Sequence, residues 1–415
     1  MQGKKINKTF LILILGLMSA IGPFSIDMYL PGFPAIAASL HTSVAHISLS
    51  LSSFFIGISV GQFIYGPLLD RYGRKKPLYI GLILYIIASI GCAMAATANM
   101  LIALRLIQAL GSCVGMVASR AIIRDIFPVN EIAKVFSKLM LVIAVSPIIA
   151  PTLGGYLVSA YEWHYVFIVL AIMATLVFIC VHFALPESMH TETTASLRPS
   201  VIFNNYAAVF KTPQFYTYAF TGAIAAAGLY AYIAGSPYVF IKLFKVSEKQ
   251  YGLIFAGVAL GLITTSQVNS LLLKRFSSQQ IIRVAIFFQM LTGAILFIGS
   301  MQHMFNVGAS ITLIFFFLSC QGFIFPNTSA LSMAPFEKNA GSASALMGGI
   351  QMSIGAISSM LVSALSNGTT LPMTGVMACC SFSAMSFLFI GNKIITYKAR
   401  DVDIKEETLE TINRI

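Results

Sequence analysis

The amino-acid sequence predicts an all-α polytopic membrane protein with twelve transmembrane helices in two pseudo-symmetric six-helix bundles. The composition is 57% hydrophobic and only 10% charged, well below the roughly 25% charge of soluble domains. Apolar stretches of about 20 residues recur along the chain, each long enough to cross a hydrocarbon core of about 30 Å. The longest polar gap divides these stretches six and six.

The apolar stretches define the predicted spans. The first follows basic residues, but it is long and lacks a convincing small-residue cleavage site, so we expect a retained helix rather than a signal peptide. In chain order the predicted spans are residues 9–29, 45–67, 77–96, 100–121, 135–158, 164–184, 214–236, 251–271, 280–300, 306–329, 341–364 and 371–391.

The distribution of positive charge predicts the orientation. Most of the 26 Lys and Arg residues lie in loops on the side of the N-terminus, whereas Lys242, Lys245 and Lys249 lie on the other side. Cytoplasmic loops carry the excess of Lys and Arg, so both termini are predicted to be cytoplasmic. The net charge of +12 follows from this bias. Because the basic residues are dispersed over short loops, we expect them to contact membrane lipids and not nucleic acid.

The predicted domain organisation is two bundles, residues 1–185 and 214–393, joined by a cytoplasmic linker over 186–213 and followed by a cytoplasmic tail over 394–415. Features recur across the linker at an offset of roughly 200 residues. Tyr29-Leu30-Pro31 closes span 1 and Gly235-Ser236-Pro237 closes span 7, while span 5 and span 11 are both rich in glycine. Halves related by an axis along the membrane normal are typical of one class of transporter.

Asp27 is the only acidic residue inside the long apolar segments. A carboxylate in hydrocarbon costs roughly 3 kcal/mol on insertion scales and more in simulations, so an intramembrane acid is by default a functional site. The alternative is a partly hydrated residue near the outer end of the first helix, where the cost would be small. We expect Asp27 to change its protonation state during function.

A glycine-rich and basic loop between spans 2 and 3 contains the sequence Gly-Pro-Leu-Leu-Asp-Arg-Tyr-Gly-Arg-Lys-Lys from residue 66 to residue 76. It resembles the loop signature of the major facilitator superfamily. We expect its two glycines to permit a tight turn from helix to loop, the acid to sit at a helix N-terminus, and the bases to contact anionic headgroups. The motif residues are Gly66, Asp70, Arg71, Gly73 and Arg74.

The resemblance implies that this loop is a cytoplasmic gate. In the superfamily the loop acid contacts the start of span 11, here Ala340-Gly341-Ser342, and an arginine at the cytoplasmic end of span 4. Arg124 is the expected partner, and Arg120 is the alternative. Such a latch favours the outward-open state, and breaking it releases the inward-open state.

Span 4 carries Arg105, Gln108 and Gly111, which resemble the Arg-x-x-Gln-Gly-x-Gly signature of the superfamily with Ala109 in place of the first glycine. Their spacing of three puts them on one helix face. A buried arginine keeps its proton and needs a carboxylate, carbonyls or water. We therefore expect Arg105 to be coupled to Asp27, directly or through a water or Gln108, as parts of one proton-coupling site. The alternative is an Arg105 side chain that extends to the outer surface.

Span 5 carries Pro147, Pro151, Gly154 and Gly155, similar to the Gly-Pro-x-x-Gly-Gly signature of antiporters in the superfamily, with Ala150 in place of the first glycine. Two prolines four residues apart remove helix hydrogen bonds, and the glycines permit close packing. A bent, tightly packed span can seal the transport path against ion leak. Proline and glycine are also common in transmembrane helices without such a role.

The stretches from Ser25 to Pro31 and from Arg120 to Asp125 look like the bicyclomycin/chloramphenicol resistance (Bcr/CflA) group. This resemblance implies a drug exporter of the bacterial inner membrane that works by exchange for protons. We expect a monomer that exports small, lipophilic, drug-like compounds. The candidate substrate-binding residues are Tyr29, Tyr230 and Tyr232, although aromatic side chains in apolar spans often serve packing alone.

Two other classes of function remain open from the sequence. A proton-coupled sugar or metabolite transporter can use the same fold, and a membrane sensor or uncoupled channel is a further alternative. An enzyme is not expected. The six cysteines all lie in apolar spans without metal-ligand spacing, and the histidines are scattered, so we expect neither a metal site nor a cofactor.

Overall fold

The computed structural model describes residues 8–188, 199–302, 304, 306–336 and 340–413. Within these ranges twelve helical segments are long and apolar enough to cross a membrane, which confirms the twelve predicted spans. The all-α fold is confirmed as well, since the described residues form helices and turns and no strand.

The first half of the chain contains the first six spans. Its helices are α1 (Lys8–Asp27), α2 (Phe33–Ser39), α3 (Val44–Tyr72), α4 (Lys75–Ala93), α5 (Ala98–Ile126), α6 (Val129–Ala160) and α7 (His164–Ala184). A 3-10 turn over Leu30–Gly32 connects α1 to α2.

The second half contains the other six spans. A short helix α8 (Pro199–Phe210) precedes it, followed by α9 (Pro213–Ser236), α10 (Glu248–Leu272), α11 (Ser278–Met301), α12 (Val307–Met333), α13 (Ala340–Ala364) and α14 (Leu371–Asn413). A π-helical segment over Pro237–Leu243 extends α9. The predicted linker therefore contains α8, and the last helix runs about twenty residues beyond the predicted end of span 12.

The helices of the two halves pack in the same pattern. In the first half α3 and α4 both pack on α5, while α1 contacts α5, α6 and α7. In the second half α10 and α11 both pack on α12, while α9 contacts α12, α13 and α14. These are the corresponding spans in each half. The repeated pattern agrees with the duplication read from the sequence.

The two halves meet along two helix pairs, α3 with α13 and α6 with α10. We call the end of the molecule that carries the loop from Asp70 to Arg74 the basic end, and the opposite end the far end. At the far end the 3-10 turn and α2 of the first half contact the π-helical segment of the second half. The far end is therefore closed between the halves.

Hydroxyl and amide side chains begin several of the spans. Ser43, Thr97 and Asn306 accept hydrogen bonds from backbone amides in the first turns of α3, α5 and α12. Ser247 and Ser277 form reciprocal capping boxes with the glutamines three residues later. These caps satisfy amides that the first turn of a helix leaves unpaired, and they fix where the helices enter the bundle.

Candidate functional site

The Asp27 carboxylate lies at the last residue of α1, where the helix gives way to the 3-10 turn that contains Pro31. The residue is only 5% exposed. Within the described part of the chain its carboxylate forms no hydrogen bond and no ion pair. The partly hydrated position considered from the sequence is therefore not what the structure contains, and Asp27 is buried inside the protein.

The second half presents hydroxyl groups to Asp27. Tyr230 and Tyr232 of α9 and Tyr251 of α10 all lie within electrostatic range of the carboxylate. Tyr251 shares a 2.8 Å hydrogen bond with Ser236. The buried hydroxyl of Tyr232 forms no hydrogen bond of normal geometry, although Ser236 lies near it. The Asp27 carboxylate thus lies close to the second half, and we call Tyr230, Tyr232 and Tyr251 the tyrosine surface.

Arg105 is fully buried in α5, so its side chain does not extend to the surface. Its Nη1 donates to Gln108 Oε1 at 2.6 Å, and its Nη2 donates to the backbone carbonyl of Ser25 at 2.9 Å. The guanidinium also lies 4.1 Å from the ring centre of Phe54 and 4.2 Å from that of Tyr29. Direct pairing with Asp27 is absent, because carbonyl, amide and aromatic groups take up the cation instead.

Gln108 is part of the same buried network. Its amide nitrogen donates to Ser89 Oγ of α4 at 2.7 Å while its carbonyl oxygen accepts from Arg105. The spacing of three therefore joins these two side chains, as the sequence predicts. Gly111 lies against the backbone of α4, where an added Cβ would come within 2.7 Å of the Gly81 carbonyl oxygen.

The three candidate tyrosines separate into two environments. Tyr29 is fully buried in the first half, hydrogen-bonded to Ser50 at 2.8 Å and packed against the ring of Phe33. Tyr230 instead packs edge-on against Phe55 across the interface between the halves, with ring centres 4.8 Å apart. Tyr232 lies within electrostatic range of Asp27. Tyr29 thus belongs to the packing around Arg105 rather than to the tyrosine surface.

The glycines of span 5 pack against two different neighbours. A Cβ at Gly154 would lie 1.8 Å from the Met28 carbonyl oxygen in the first half, and a Cβ at Gly155 would lie 2.4 Å from the Glu248 carbonyl oxygen in the second. Pro147 and Pro151 lie inside α6. The motif therefore holds α6 against the residue that follows Asp27 and against the start of α10.

A row of serines joins α3 to α13, and the sequence analysis missed it. Three serine pairs form this row, and Ser59 Oγ in addition donates a hydrogen bond to the Gly349 carbonyl oxygen at 3.0 Å. The signal available in the sequence was the spacing of the α3 serines by four and seven residues, which is one helix face. The pairs are Ser48 with Ser363, Ser52 with Ser359 at 2.9 Å, and Ser59 with Ser353 at 2.8 Å.

At the basic end Arg74 is the centre of an ion-pair network. Its Nη1 donates to Asp70 at 2.8 Å, and its Nε and Nη2 donate to the two carboxylate oxygens of Asp125 at 2.7 and 3.2 Å. Burial acts to lower the pKa of Arg74, but the hydrogen bonds and charges of Asp125 and Asp70 outweigh it and raise that pKa. Arg74 therefore stays charged at every physiological pH.

Glu187 supplies the helix N-terminal acid that was expected of Asp70. Its carboxylate accepts from the backbone amides of Arg74 at 2.8 Å and Lys75 at 3.1 Å, at the start of α4. An anion at this position is stabilised by the helix dipole. Gly73, the residue before Arg74, has a φ of +82°, a conformation that favours glycine. Gly66 lies inside α3 with open space around it, so the prediction that Gly66 permits a turn is wrong.

The predicted latch is not formed as expected in this structure. Asp70 pairs with Arg74, whereas Arg124 is exposed and makes no ion pair with Asp70. Arg120, the alternative, reaches the second half instead, and its Nη1 lies 3.4 Å from Ser344 Oγ in α13. The side chain of Ala340 lies outside the described residues. Arg71 lies over the ring of Tyr72, 6.0 Å from its centre.

A groove of about 930 Å³ lies between α10, α11 and α12. Apolar side chains such as Phe288, Phe315 and Phe323 line it. Neither Asp27 nor a tyrosine belongs to it. An apolar groove on one bundle fits the acyl chains of membrane lipids, so this groove is not the candidate functional site.

The comparison with known families decides the identity of the fold. The sequence matches the family model described as the Major Facilitator Superfamily over residues 15–360. The chain belongs to the major facilitator superfamily. The resemblance predicted from the loop and span motifs is thereby confirmed, and the chain is a transporter rather than an enzyme.

Several relatives within the superfamily align with nearly the whole chain. The protein is 34% identical to the uncharacterized MFS-type transporter YdgK of Bacillus subtilis, over 88% of this chain and 91% of the relative. It is 30% identical to the bicyclomycin resistance protein homolog of Haemophilus influenzae, over 93% and 98%. The multidrug resistance protein MdtL of Escherichia coli is 27% identical, over 89% and 92%.

Solved major facilitator structures share the fold at low sequence identity. The crystal structure of a D-xylose-proton symporter has a TM-score of 0.71 at 14% identity, covering 92% of this chain and 97% of the other. A bacterial homolog of the human lysosomal transporter Spinster, in an inward-facing and unoccupied conformation, has a TM-score of 0.69 at 14% identity, covering 94% and 96%. These likenesses concern the fold alone.

Proposed function

We propose that this transporter exports small, mostly apolar, drug-like compounds across the bacterial inner membrane in exchange for protons, with Asp27 as the proton-coupling carboxylate. Both termini are cytoplasmic in this proposal, so the basic end faces the cytoplasm and the far end faces outward. The protein works as a monomer in contact with membrane lipids. The observation that carries the proposal is the unpaired, 5% exposed Asp27 at the interface between the halves.

The environment of Asp27 supports a protonation switch. An ionised carboxylate without a partner costs several kcal/mol inside a membrane protein, and the closed far end withholds water from it. A proton removes that charge. Asp27 is therefore neutral when the far end is closed around it, and it is ionised when water or a substrate donor reaches it.

This switch gives a transport cycle. Protonation of Asp27 from the outside releases the substrate and favours closure of the far end, which produces the inward-open state. Loss of the proton to the cytoplasm then restores the substrate-binding state. Each ligand shifts the balance because it binds one state better than the other.

The substrate-binding surface is formed by Tyr230 and Tyr232 with the neighbouring Tyr251, opposite Asp27. Aromatic rings give an apolar surface, and their hydroxyls supply hydrogen bonds that orient a ligand. The names of the bicyclomycin resistance homolog and of MdtL support drug-like substrates. Tyr29 contributes indirectly by packing on Arg105.

Two further sets of residues act on the change between states. Pro147, Pro151, Gly154 and Gly155 let α6 seal the far end against α1 and α10. At the basic end the gate consists of Asp70 and Arg74, aided by Arg71, Gly73 and Arg124. The ion pair between Asp70 and Arg74 supports this role, since an ion pair at a moving helix end can stabilise one state over the other.

The direction of coupling is tested in liposomes that contain the purified protein. Antiport predicts that chloramphenicol accumulates when the lumen is acidic relative to the outside. Symport, as in a proton-coupled sugar or metabolite transporter, predicts accumulation under the opposite gradient, with D-xylose as the comparison compound. Two outcomes contradict the proposal. One is accumulation only when the outside is acidic, and the other is that no bicyclic or chloramphenicol-like drug accumulates in a way that depends on the gradient.

A further inference from the structure

Arg120 is a cationic side chain in span 4 that the proposed mechanism does not use. It lies in the last two turns of α5 and crosses to the second half, where its Nη1 is 3.4 Å from Ser344 Oγ. In the described part of the chain it has no acidic partner. A guanidinium carries five N–H donors, and this one bond is long, so most of its hydrogen-bonding capacity is unused within the described residues.

The carboxylates at the basic end of the first half are engaged elsewhere. Asp70 and Asp125 pair with Arg74, and Glu187 accepts from backbone amides. Glu131 pairs with Lys8 at 2.9 Å. Arg105, by comparison, has its charge offset by a carbonyl, an amide and two aromatic rings. Of Arg74, Arg105 and Arg120, only Arg120 lacks a matched set of partners among the residues that the structure describes.

The position of Arg120 relates it to the substrate. Its side chain reaches α13 between the two halves, on the side of the basic end, and it keeps a partly exposed surface. Arg124, one turn further along the helix, adds a second positive charge. A cation in such a cleft attracts anions and raises their local concentration, and a guanidinium matches the planar oxygens of a carboxylate or the oxygens of a phosphonate.

We propose that Arg120 is an anion-recognition residue and that the transporter takes compounds with a carboxylate or phosphonate group on an apolar body. This inference rests on the proposed export function, because it assumes that substrates enter between the halves from the basic end. The anionic group binds Arg120 and Ser344, and the apolar body extends towards the tyrosine surface.

The experiment measures equilibrium binding to the full-length protein in detergent, by calorimetry, without a proton gradient. The probes share one ring system: 2-naphthoate, 2-naphthylphosphonate and the neutral 2-naphthamide. We expect the wild type to bind each anion at least about tenfold more tightly than the amide, a factor that corresponds to about 1.4 kcal/mol. Arg120→Gln removes this preference and leaves the affinity for the amide unchanged, while Arg120→Lys keeps part of it.

Arg283→Gln is the control, because it removes an exposed arginine charge from α11, a helix that packs on α12 and α14, and it is expected to preserve the ratio of anion to amide affinity. An equal loss of all three probes in Arg120→Gln indicates a structural or gating role and overturns the proposal. So does a wild type that does not prefer the anions, a measurement that needs no variant to fold. Gradient-driven transport is measured separately in liposomes, so failure of the anion preference and failure of proton coupling are told apart.

Discussion

Arg105 donates a hydrogen bond from Nη2 to the backbone carbonyl of Ser25 at 2.9 Å, two residues before Asp27 in the chain. The guanidinium is held at the same time by Gln108 and by the faces of Phe54 and Tyr29. Arg105 therefore fixes the end of α1 through its geometry. It reaches Asp27 through the backbone and not through an ion pair.

We predict that Arg105→Lys is nearly as damaging as Arg105→Ala to the stability and to proton-coupled transport. A lysine keeps the charge, but its single ammonium cannot reproduce the planar fork that binds Ser25 and Gln108 and stacks between rings. The temperature of unfolding and the gradient-driven uptake are measured for both variants, with Arg283→Lys as an exposed control on α11. A lysine variant that behaves like the wild type would show that the charge acts on Asp27 from a distance.

We predict that Asp27→Asn abolishes proton-driven accumulation but leaves the protein folded and able to bind neutral substrates. Asparagine keeps the shape and polarity of the side chain but cannot exchange a proton. Binding by calorimetry and exchange of labelled substrate at equal pH on both sides serve as the controls for an intact pocket. Full concentrative transport by this variant under a pH gradient would remove Asp27 from the coupling role.

The observed partners of Arg105 differ from the expected one. This difference shows which features of the site can be predicted from a sequence and which cannot. Asp27 and Arg105 are recognisable because charges inside apolar spans are rare. Their pairing was inferred because no other intramembrane acid exists, yet backbone carbonyls and aromatic faces are acceptors that every sequence contains. The proximity of Asp27 to Tyr232 and Tyr251 depends on how the halves meet.

At the basic end, too, the sequence motif predicts only part of the local structure. The role of Gly73 follows from its place after α3, but the identical residue type at Gly66 lies in the helix and has no such role. Asp125 and Glu187 complete the network around Arg74 from about 50 and 110 residues away along the chain. Long-range partners of this kind leave no periodic signal, whereas the twelve spans do.

We predict that Gly155→Ala hinders closure of the far end. Its Cβ would lie 2.4 Å from the Glu248 carbonyl oxygen, a backbone atom that can move only if α6 and α10 separate. Distances between labels at Tyr161 and Lys245, on the two halves at the far end, should lengthen, and transport should fall. Gly22→Ala is the matched control in α1, because no heavy atom lies within 4 Å of the added Cβ. Unchanged distances in Gly155→Ala would mean that the contact does not limit closure.

Finally, we predict that Asp125→Asn destabilises the protein more than Asp70→Asn does. Asp125 accepts two hydrogen bonds from Arg74 and one from Ser188, and its side chain is 20% exposed, whereas Asp70 accepts one bond and its side chain is 56% exposed. Exposed pairs contribute at most about 1 kcal/mol, while hydrogen bonds to less exposed charged groups contribute about 1.5 to 3 kcal/mol. The free energy of unfolding of the purified protein measures both losses.

Asp70→Asn should act mainly on the populations of the two states. Weakening its contact to Arg74 by up to about 1 kcal/mol changes a two-state ratio several-fold. Labels at the exposed Tyr72 and Phe276, on the two halves at the basic end, should therefore show a larger share of long distances. If Asp70→Asn lowers the unfolding free energy as much as Asp125→Asn and leaves the distance distribution unchanged, Asp70 stabilises the fold and has no part in the gate.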